Sequence, residues 1–390
     1  MTALELRTAL ALAAAFFLRM LGLFMVLPVL ALYVDTLPGA TPLLIGLALG
    51  LYGLSQAALQ IPFGKWSDQI GRKPVITIGL LIFMVGGLIA AAAHHILAVV
   101  IGRTLQGAGA VSGATLALAA DLTRPEQRTK TMAIIGISIG AAFSLGFVCG
   151  PIIDAHYGLR GVFLVSAATG LGALTLLWTV VPAAPARLAI TVVPASAATQ
   201  HLRSLYFGVL CLHLVLAASF VSIPVLLLHE LALPKVAHYT VYVPALVISL
   251  LLIGPFLGRS HRTGMTAGMF PVAISCLALG EFLLWWGPAN QLFITASLTV
   301  FFMGFNFLEA SLPSLISRAA PVSGKGAALG TYSTGQFVGT FIGGLTGGGA
   351  ATLFGTRGVF AVAGSLALMW LLMAWRGIGM PVESSTSYSG

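Results

Sequence analysis

Residues 64–74 read GKWSDQIGRKP, a short polar segment between two mostly apolar runs near 43–63 and 74–93. About 20 apolar residues are enough for a helix to cross a hydrocarbon core about 30 Å thick. The polar segment is therefore predicted to be a tight loop that joins two membrane-spanning helices. A glycine within it can adopt the positive φ that a tight turn requires. The rest of the chain repeats this alternation of apolar runs and polar breaks.

Composition places the whole chain in a membrane. Of its 390 residues, 58% are hydrophobic and 7% are charged, against roughly 25% charged residues in a soluble domain. We predict an all-α integral membrane protein with twelve transmembrane helices, near residues 9–34, 43–63, 74–93, 96–119, 131–153, 160–182, 205–229, 238–258, 265–286, 291–314, 326–350 and 357–375. The predicted organisation is two six-helix halves at 1–182 and 205–376, a cytoplasmic linker at 183–204 and a cytoplasmic tail at 377–390.

The distribution of basic residues predicts the orientation, because cytoplasmic loops of membrane proteins are enriched in Lys and Arg. With both termini in the cytoplasm, fourteen basic residues fall inside, and the outer loops hold only Arg160, Lys235 and Arg357. The net charge of +9 therefore reflects topology, whereas a nucleic-acid-binding protein would cluster these charges on one soluble face. The three cysteines each lie inside an apolar run and match no disulfide or metal spacing, so we expect neither a metal nor a cofactor.

The loop motif carries a family resemblance. The cytoplasmic signature of the major facilitator superfamily is Gly-x-x-x-Asp-x-x-Gly-Arg-Lys, and this chain resembles it at Gly64, Asp68, Gly71, Arg72 and Lys73. The resemblance implies two pseudo-symmetric halves that move a small molecule across the bilayer. It also implies that Asp68 joins the halves on the cytoplasmic side in the outward-facing state, and that Asp121 pairs with Arg72. The alternative is a loop that only anchors the topology.

Two further motifs resemble the same family. Span four contains Arg103 and Gln106 in an Arg-x-x-Gln-Gly-x-Gly pattern, which implies a role in proton coupling or in shaping the central cavity. The alternative for Arg103 is a side chain that snorkels toward the interface. The antiporter motif of drug/proton exporters is resembled in span five by Gly146, Gly150 and Pro151. Its small residues are expected to allow close contact with the opposite half, and Asp154 stands where the motif usually ends in glycine.

Span eleven carries a glycine stripe with a period of four residues, formed by Gly335, Gly339, Gly343 and Gly347. Residues four apart lie on one helix face, and glycine allows another backbone to approach closely. The stripe is therefore expected to serve tight packing, a moving seam between the halves, or both.

Buried ionisable residues are the candidate coupling groups, because an intramembrane charge costs at least about 2.5–3.5 kcal/mol and needs a polar cavity or a partner. On the helices that line the cavity by resemblance, the candidates are Arg19, Arg103, His213 and Glu309. Polar support is expected from other residues inside the spans, namely Gln56, Gln60, Gln106, Asn306 and Gln336. Glu309 is the first choice because a buried carboxylate can take up and release a proton, and we expect it to pair with Arg19. The alternative for His213 is a neutral, hydrogen-bonded ring, and Glu281 is expected to be structural.

These features predict a transporter and not an enzyme. The leading hypothesis is a proton-coupled antiporter, a monomer in the bacterial inner membrane, that exports a small amphipathic or drug-like compound by alternating access. Its expected partners are the substrate, protons and the lipid bilayer. A sugar or metabolite exporter of the same fold is the alternative, and a non-transporting sensor is a third possibility. The sequence contains no Gly-x-x-x-x-Gly-Lys-Ser/Thr loop, which ATP-driven transport would need.

Overall fold

The computed structural model of the chain describes residues 1–182, 200–263, 266–320 and 325–375. All regular structure in these ranges is helical, and no strand occurs there, which confirms the predicted all-α class. Most of the predicted linker at 183–204 and the whole predicted tail at 377–390 lie outside the described residues.

The chain forms long helices separated by short turns. The α-helices are α1 Ala3–Phe24, α2 Pro42–Ile70, α3 Arg72–Ala91, α4 Ile96–Ala108, α5 Ser112–Asp121, α6 Arg128–Thr179, α7 Gln200–His229, α8 Tyr239–Thr263, α9 Thr266–Trp286, α10 Gln291–Ala319 and α11 Lys325–Trp375. Short 3₁₀ helices cover Leu30–Tyr33, Pro125–Gln127 and Lys235–Ala237. The predicted tight loop is a single residue, Gly71, whose φ of +100° separates α2 from α3 and is a conformation that favours glycine.

Ten segments of the described chain are long and apolar enough to span a membrane. Two of the helices are far longer than one crossing needs: α6 has 52 residues and α11 has 51, or about 75 Å each at 1.5 Å per residue. Each contains one non-helical glycine, Gly158 with φ +63° and Gly355 with φ +73°. Division at these glycines would give two crossings per helix. The predicted count of twelve stays a prediction that these breaks support.

The helices pack in two groups. Helices α1 to α6 contact one another and form the first group, and helices α7 to α11 form the second. The main contact between the groups is α2 against α11. Apolar side chains bury inside each group, with Leu12 and Phe163 in the first and Phe270 and Trp370 in the second.

Glycines bring the two groups together along α2 and α11. A Cβ atom at Gly46 would lie 3.0 Å from the Cα atom of Gly348, and a Cβ atom at Gly50 would lie 2.8 Å from the carbonyl oxygen of Phe341. These neighbours are backbone atoms, so no rotamer change can make room for a larger residue. We call this contact the α2/α11 seam.

The predicted glycine stripe of α11 is not this seam. Cβ atoms at Gly343 and Gly347 would meet the backbone of α7 at Leu214 and Ala218, so the stripe serves tight packing within the second group. The contact between groups is made by glycines on a neighbouring face of α11, above all Gly344. A period of four predicts that the residues share a face but not which helix that face meets.

The close contacts between α2 and α11 lie toward one end of the bundle. The α2/α11 seam begins at Pro42, at the end opposite the Gly71 turn. Toward the Gly71 turn, Cβ atoms at Gly64 on α2, Gly136 on α6 and Gly330 on α11 would meet no described atom within 4 Å. We call the end that carries Gly71 the signature end, and the other the closed end.

Candidate functional site

The second group holds a polar cluster inside the apolar bundle, formed by His213, Glu309, Tyr332 and Gln336, which we call the Glu309 cluster. The Tyr332 hydroxyl donates to Oε1 of Glu309 at 3.2 Å, and Nε2 of Gln336 donates to the same oxygen at 3.3 Å. Oε2 of Glu309 has no hydrogen-bond partner among the described residues, but Nε2 of His213 lies 3.5 Å away. Three helices, α7, α10 and α11, supply these four side chains.

Both ring nitrogens of His213 have a hydrogen-bond partner. Its Nδ1 atom lies 3.1 Å from the carbonyl oxygen of Val209, and its Nε2 atom lies 2.7 Å from Nε2 of Gln336. An amide NH₂ group can only donate, so Nε2 accepts and Nδ1 carries the hydrogen. The same amide donates to Glu309, which supports this assignment of its two ends. The His213 ring is therefore held between a backbone oxygen and an amide, beside the Glu309 carboxyl group.

Glu309 is the accessible member of this cluster. About 33% of its side chain is exposed, against 7% of His213. The Phe305 ring covers the histidine, with ring centroids 6.1 Å apart. Glu309 is thus more open to its surroundings than His213, which lies behind the Phe305 ring.

Arg19 does not pair with Glu309, so the expected coupled site is absent from this structure. The Arg19 guanidinium donates to Oε1 of Gln56 at 3.0 Å, to Oγ of Ser112 at 3.2 Å and to the Tyr52 hydroxyl at 3.3 Å. It is 1% exposed, and all these partners lie in the first group. Neutral oxygens of α2 and α5 accept from this cation, and its Nε atom has no hydrogen-bond partner among the described residues.

Arg103 is buried in the same group and does not snorkel. Its Nη1 atom donates to Oε1 of Gln106 at 3.0 Å, and Nε2 of Gln106 donates to Oγ of Ser166 at 3.1 Å. The guanidinium also lies 4.5 Å from the ring centroid of Tyr52, a cation–π contact. With 2% of the residue exposed, Arg103 ties α4 to α2 and α6, and it does not reach the Glu309 cluster.

The two remaining polar candidates of the second group have separate partners. Nδ2 of Asn306 donates to Oγ of Ser249 at 3.0 Å, which joins α10 to α8. Glu281 is 0% exposed, its Oε1 atom lies 2.5 Å from Oγ of Ser219, and no described cation pairs with it. Glu281 thus has a structural contact, as expected, but no ionic partner among the described residues.

The signature loop has the local geometry that its motif predicts. Nη2 of Arg72 lies 2.5 Å from Oδ1 of Asp68, and Nε of Arg72 lies 3.2 Å from Oδ2 of Asp121, the predicted partner. Nζ of Lys73 donates to the carbonyl oxygen of Val181 at 2.5 Å. The Asp68 side chain is 55% exposed. These ionic contacts lie within the first group.

The glycines of the antiporter motif do not contact the opposite group, contrary to the prediction. A Cβ atom at Gly146 would lie 2.7 Å from Cβ of Phe24, and one at Gly150 would lie 3.1 Å from the carbonyl carbon of Met25. Both neighbours follow or end α1, in the same group. Pro151 lies inside α6 without interrupting it, and the break comes at Gly158.

Aromatic rings of α6 make the contact with the second group that was expected of the glycines. Phe143 stacks on Phe305 with centroids 5.9 Å apart, and Phe147 lies 4.8 Å from Phe220 and 5.3 Å from Tyr242. Phe302, Phe305 and Met25 are buried to 5% exposure or less. The rings therefore seal the bundle between the Glu309 cluster and the closed end.

Sequence reasoning missed a set of charged contacts at the closed end. Oδ1 of Asp154 accepts from the Tyr33 hydroxyl at 2.5 Å, and Oδ2 lies 3.2 Å from Nζ of Lys235. Beside them, Nε2 of His229 lies 3.4 Å from Oδ2 of Asp35. Both ion pairs join the first group to the second. The available signal was Asp154 itself, an acid where the antiporter motif usually has glycine.

Comparisons with known proteins agree with the motifs. A family model described as Major Facilitator Superfamily matches residues 12–259 and 205–387. The chain is 40% identical over 381 residues to the inner membrane transport protein YajR of Escherichia coli (strain K12), covering 96% of this chain and 84% of that one. It is 34% identical to the uncharacterized transporter BU466 of Buchnera aphidicola, covering 88% and 90%. In fold it is similar to a crystal structure of a bacterial homologue of the human lysosomal transporter Spinster, with a TM-score of 0.76, 13% identity, and 94% and 96% coverage.

Proposed function

The chain belongs to the major facilitator superfamily, and from that premise we propose that it is a proton-coupled antiporter that exports a small amphipathic compound by alternating access. Membership establishes a multi-pass membrane transporter. The proton, the direction of transport and the class of substrate are the proposal. YajR is named an inner membrane protein, and we place this chain in the same membrane with both termini in the cytoplasm.

The observation that carries the proposal is the Glu309 cluster. It contains a partly exposed carboxyl group and a buried histidine, 3.5 Å apart at their nearest atoms, inside a membrane-spanning bundle. A proton can bind to the carboxyl group, or to Nε2 of His213, where it would convert an acceptor into a charged donor facing Glu309. The cluster can therefore hold one additional proton without leaving an unpaired charge in the bundle.

The hydrogen bonds of the cluster would link proton binding to the position of α11. Gln336 donates both to His213 and to Glu309, so protonation of Nε2 would displace the amide from the ring. Tyr332 and Gln336 both belong to α11, the helix that forms the seam with α2. Proton uptake would thereby change the contacts of α11. This helix must move when the bundle opens at one end and closes at the other.

The position of the α2/α11 seam, at the closed end, suggests which conformation of the transport cycle the structure represents. Alternating access requires the two groups to part at one end while they meet at the other. If the signature end is cytoplasmic, as the basic residues predict, the structure corresponds to an inward-facing arrangement. The exposed Asp68 fits this assignment, because the resemblance gives that residue its contact with the other half in the outward-facing state.

Antiport is favoured over symport by Gly146, Gly150 and Pro151, which resemble the motif of drug/proton exporters. In this structure the two glycines fix α1 against α6. That contact sets the position of Phe143 and Phe147 on the same helix, which face the second group. The motif would then act on transport through the aromatic contact and not by touching the other half itself.

Purified protein in proteoliposomes tests the proposal. With the interior acidified, we expect uphill uptake of at least one compound from a panel of amphipathic organic molecules, and collapse of that uptake on addition of a protonophore. Lumenal pH should rise with a time course that matches uptake. Uptake that persists unchanged without a pH gradient would refute proton coupling, and uptake of sugars alone would favour the metabolite exporter.

A further inference from the structure

The closed end carries a buried acid with partners from both helix groups. The Asp154 side chain is 0% exposed, although it lies near the end of the bundle. Its two oxygens are occupied by the Tyr33 hydroxyl and by Nζ of Lys235, and Nζ also lies 4.2 Å from the centroid of the Tyr33 ring. The Tyr33 hydroxyl oxygen accepts from the backbone N–H of Leu159 at 2.7 Å. The Tyr33 hydroxyl thus both donates and accepts, whereas Oδ2 of Asp154 has the ion pair with Lys235 and no hydrogen bond among the described residues.

These contacts can exist only while the groups meet at this end. Tyr33 and Asp154 belong to the first group, and Lys235 belongs to the short 3₁₀ helix before α8 of the second. Separation of the groups would return both ions to water. Burial makes the triad sensitive to change, because removal of one member of a buried ion pair leaves the other charge without a partner.

We propose that Tyr33, Asp154 and Lys235 form a latch that holds the closed end shut and that must break before this end can open. The latch is the counterpart, at the opposite end, of the ionic contacts of Asp68 and Arg72. The proposal rests on transport by alternating access but not on proton coupling, on the identity of the substrate or on the orientation in the membrane.

Two neighbouring charged contacts at the closed end differ from the latch in burial or in the groups that they join. The pair of His229 and Asp35 also joins the groups, but both side chains are more than half exposed, so water replaces that contact readily. Nη2 of Arg357 lies 2.6 Å from Oε2 of Glu230 at the same end, yet both residues belong to the second group. That pair should therefore be indifferent to opening, and it provides a matched control.

A cysteine at position 221 can report opening directly. Val221 is 4% exposed and packs from α7 into a cluster of the first group that includes Leu30 and Ile45. Opening of the closed end would uncover it. Val209, 0% exposed and packed within the second group, gives a control cysteine that opening should leave covered. Both reporters are placed in a background that lacks the three native cysteines.

The experiment measures the rate at which a charged, water-soluble maleimide labels each reporter in protein reconstituted in nanodiscs, where both faces are accessible. We expect Asp154→Asn and Lys235→Gln each to raise labelling of Val221→Cys at least tenfold, and Glu230→Gln to leave it within twofold of the parent. The double charge reversal Asp154→Lys with Lys235→Asp should label more slowly than either single reversal.

Parental labelling rates in both Asp154→Asn and Lys235→Gln would overturn the latch. So would equal acceleration by Glu230→Gln, because the effect would then not depend on a contact between the groups. If a latch variant also exposes Val209→Cys, the bundle has loosened as a whole, and the assignment of the triad as a latch fails. None of these readouts needs a substrate or a pH gradient, so the latch and the proposed antiport can fail separately.

Discussion

Replacement of Gly46 by alanine should favour the arrangement in which the closed end is open. The new Cβ atom would lie 3.0 Å from Cα of Gly348 and closer still to the backbone of Gly344. Carbon atoms normally approach to about 3.5–4.0 Å, so α2 and α11 would have to separate by at least about 0.5–1 Å, and further to clear the carbonyl oxygen of Gly344. Backbone atoms on both sides leave no rotamer to absorb this displacement.

The magnitude follows from the cost of overpacking, about 1–3 kcal/mol for an added methyl group in a tight contact. The seam exists only while the groups meet at this end, so the strain falls on this state alone. Since 1.4 kcal/mol corresponds to a factor of ten, the population with this end open should rise about 5- to 140-fold. The higher helix propensity of alanine acts equally in both states and cancels.

The Val221→Cys labelling assay measures this shift, with two glycines as controls. Gly136→Ala should have no effect, because a Cβ atom there would meet no described atom within 4 Å. Gly339→Ala creates an equally tight backbone contact, with Leu210 of the same group. It should lower thermal stability without faster labelling. A folded Gly46→Ala protein that labels at the parental rate, or a Gly339→Ala protein that labels as fast, would refute the seam.

Three further variants test separate parts of the account. Asp68→Asn should insert normally but lose uphill transport, because the carboxylate is needed to close the signature end; full transport at normal expression would show that the loop is only a topological anchor. Gly150→Ala should lower the midpoint of thermal unfolding through its contact with Met25, a cost of about 1–3 kcal/mol; an unchanged midpoint would show that this contact is not tight. Arg19→Ala should lower stability but leave the pH dependence of transport unchanged, because its guanidinium contacts only neutral groups; a shifted pH optimum would restore the direct link to Glu309.

Local features of the fold could be predicted from sequence. Apolar runs indicated helices, Gly71 indicated the turn, and the ionic contact of Arg72 with Asp121 followed from the motif. Membership of the family, predicted from GKWSDQIGRKP and its companions, is confirmed by the comparisons. These features depend on residues close in sequence, or on a family motif that implies which residue of another helix is the partner.

Contacts between distant helices could not be predicted in the same way. Burial cost shows that Arg19 needs partners, but hydroxyl, amide and carbonyl oxygens can satisfy a guanidinium as well as an acid can. Helical spacing places Gly343 and Gly347 on one face, yet the rotation of α11 against its neighbours decides that they meet α7. Asp154 drew attention only as a departure from a motif, because its partner Lys235 lies in another helix group.

The central claim is that Glu309 couples the proton to transport, and proton-driven flux through Glu309→Gln tests it most directly. Glutamine keeps the size of the side chain and can still accept from Tyr332, but it cannot bind a proton at neutral pH. Glu281→Gln is the matched control, because that carboxyl group is fully buried at Ser219, away from the Glu309 cluster.

In proteoliposomes we expect Glu309→Gln to abolish uphill uptake driven by a pH gradient while it retains exchange of labelled for unlabelled compound. Glu281→Gln should retain both activities. Uphill uptake at the parental rate through Glu309→Gln, with the same compound and the same gradient, would contradict the account and place the proton elsewhere in the bundle.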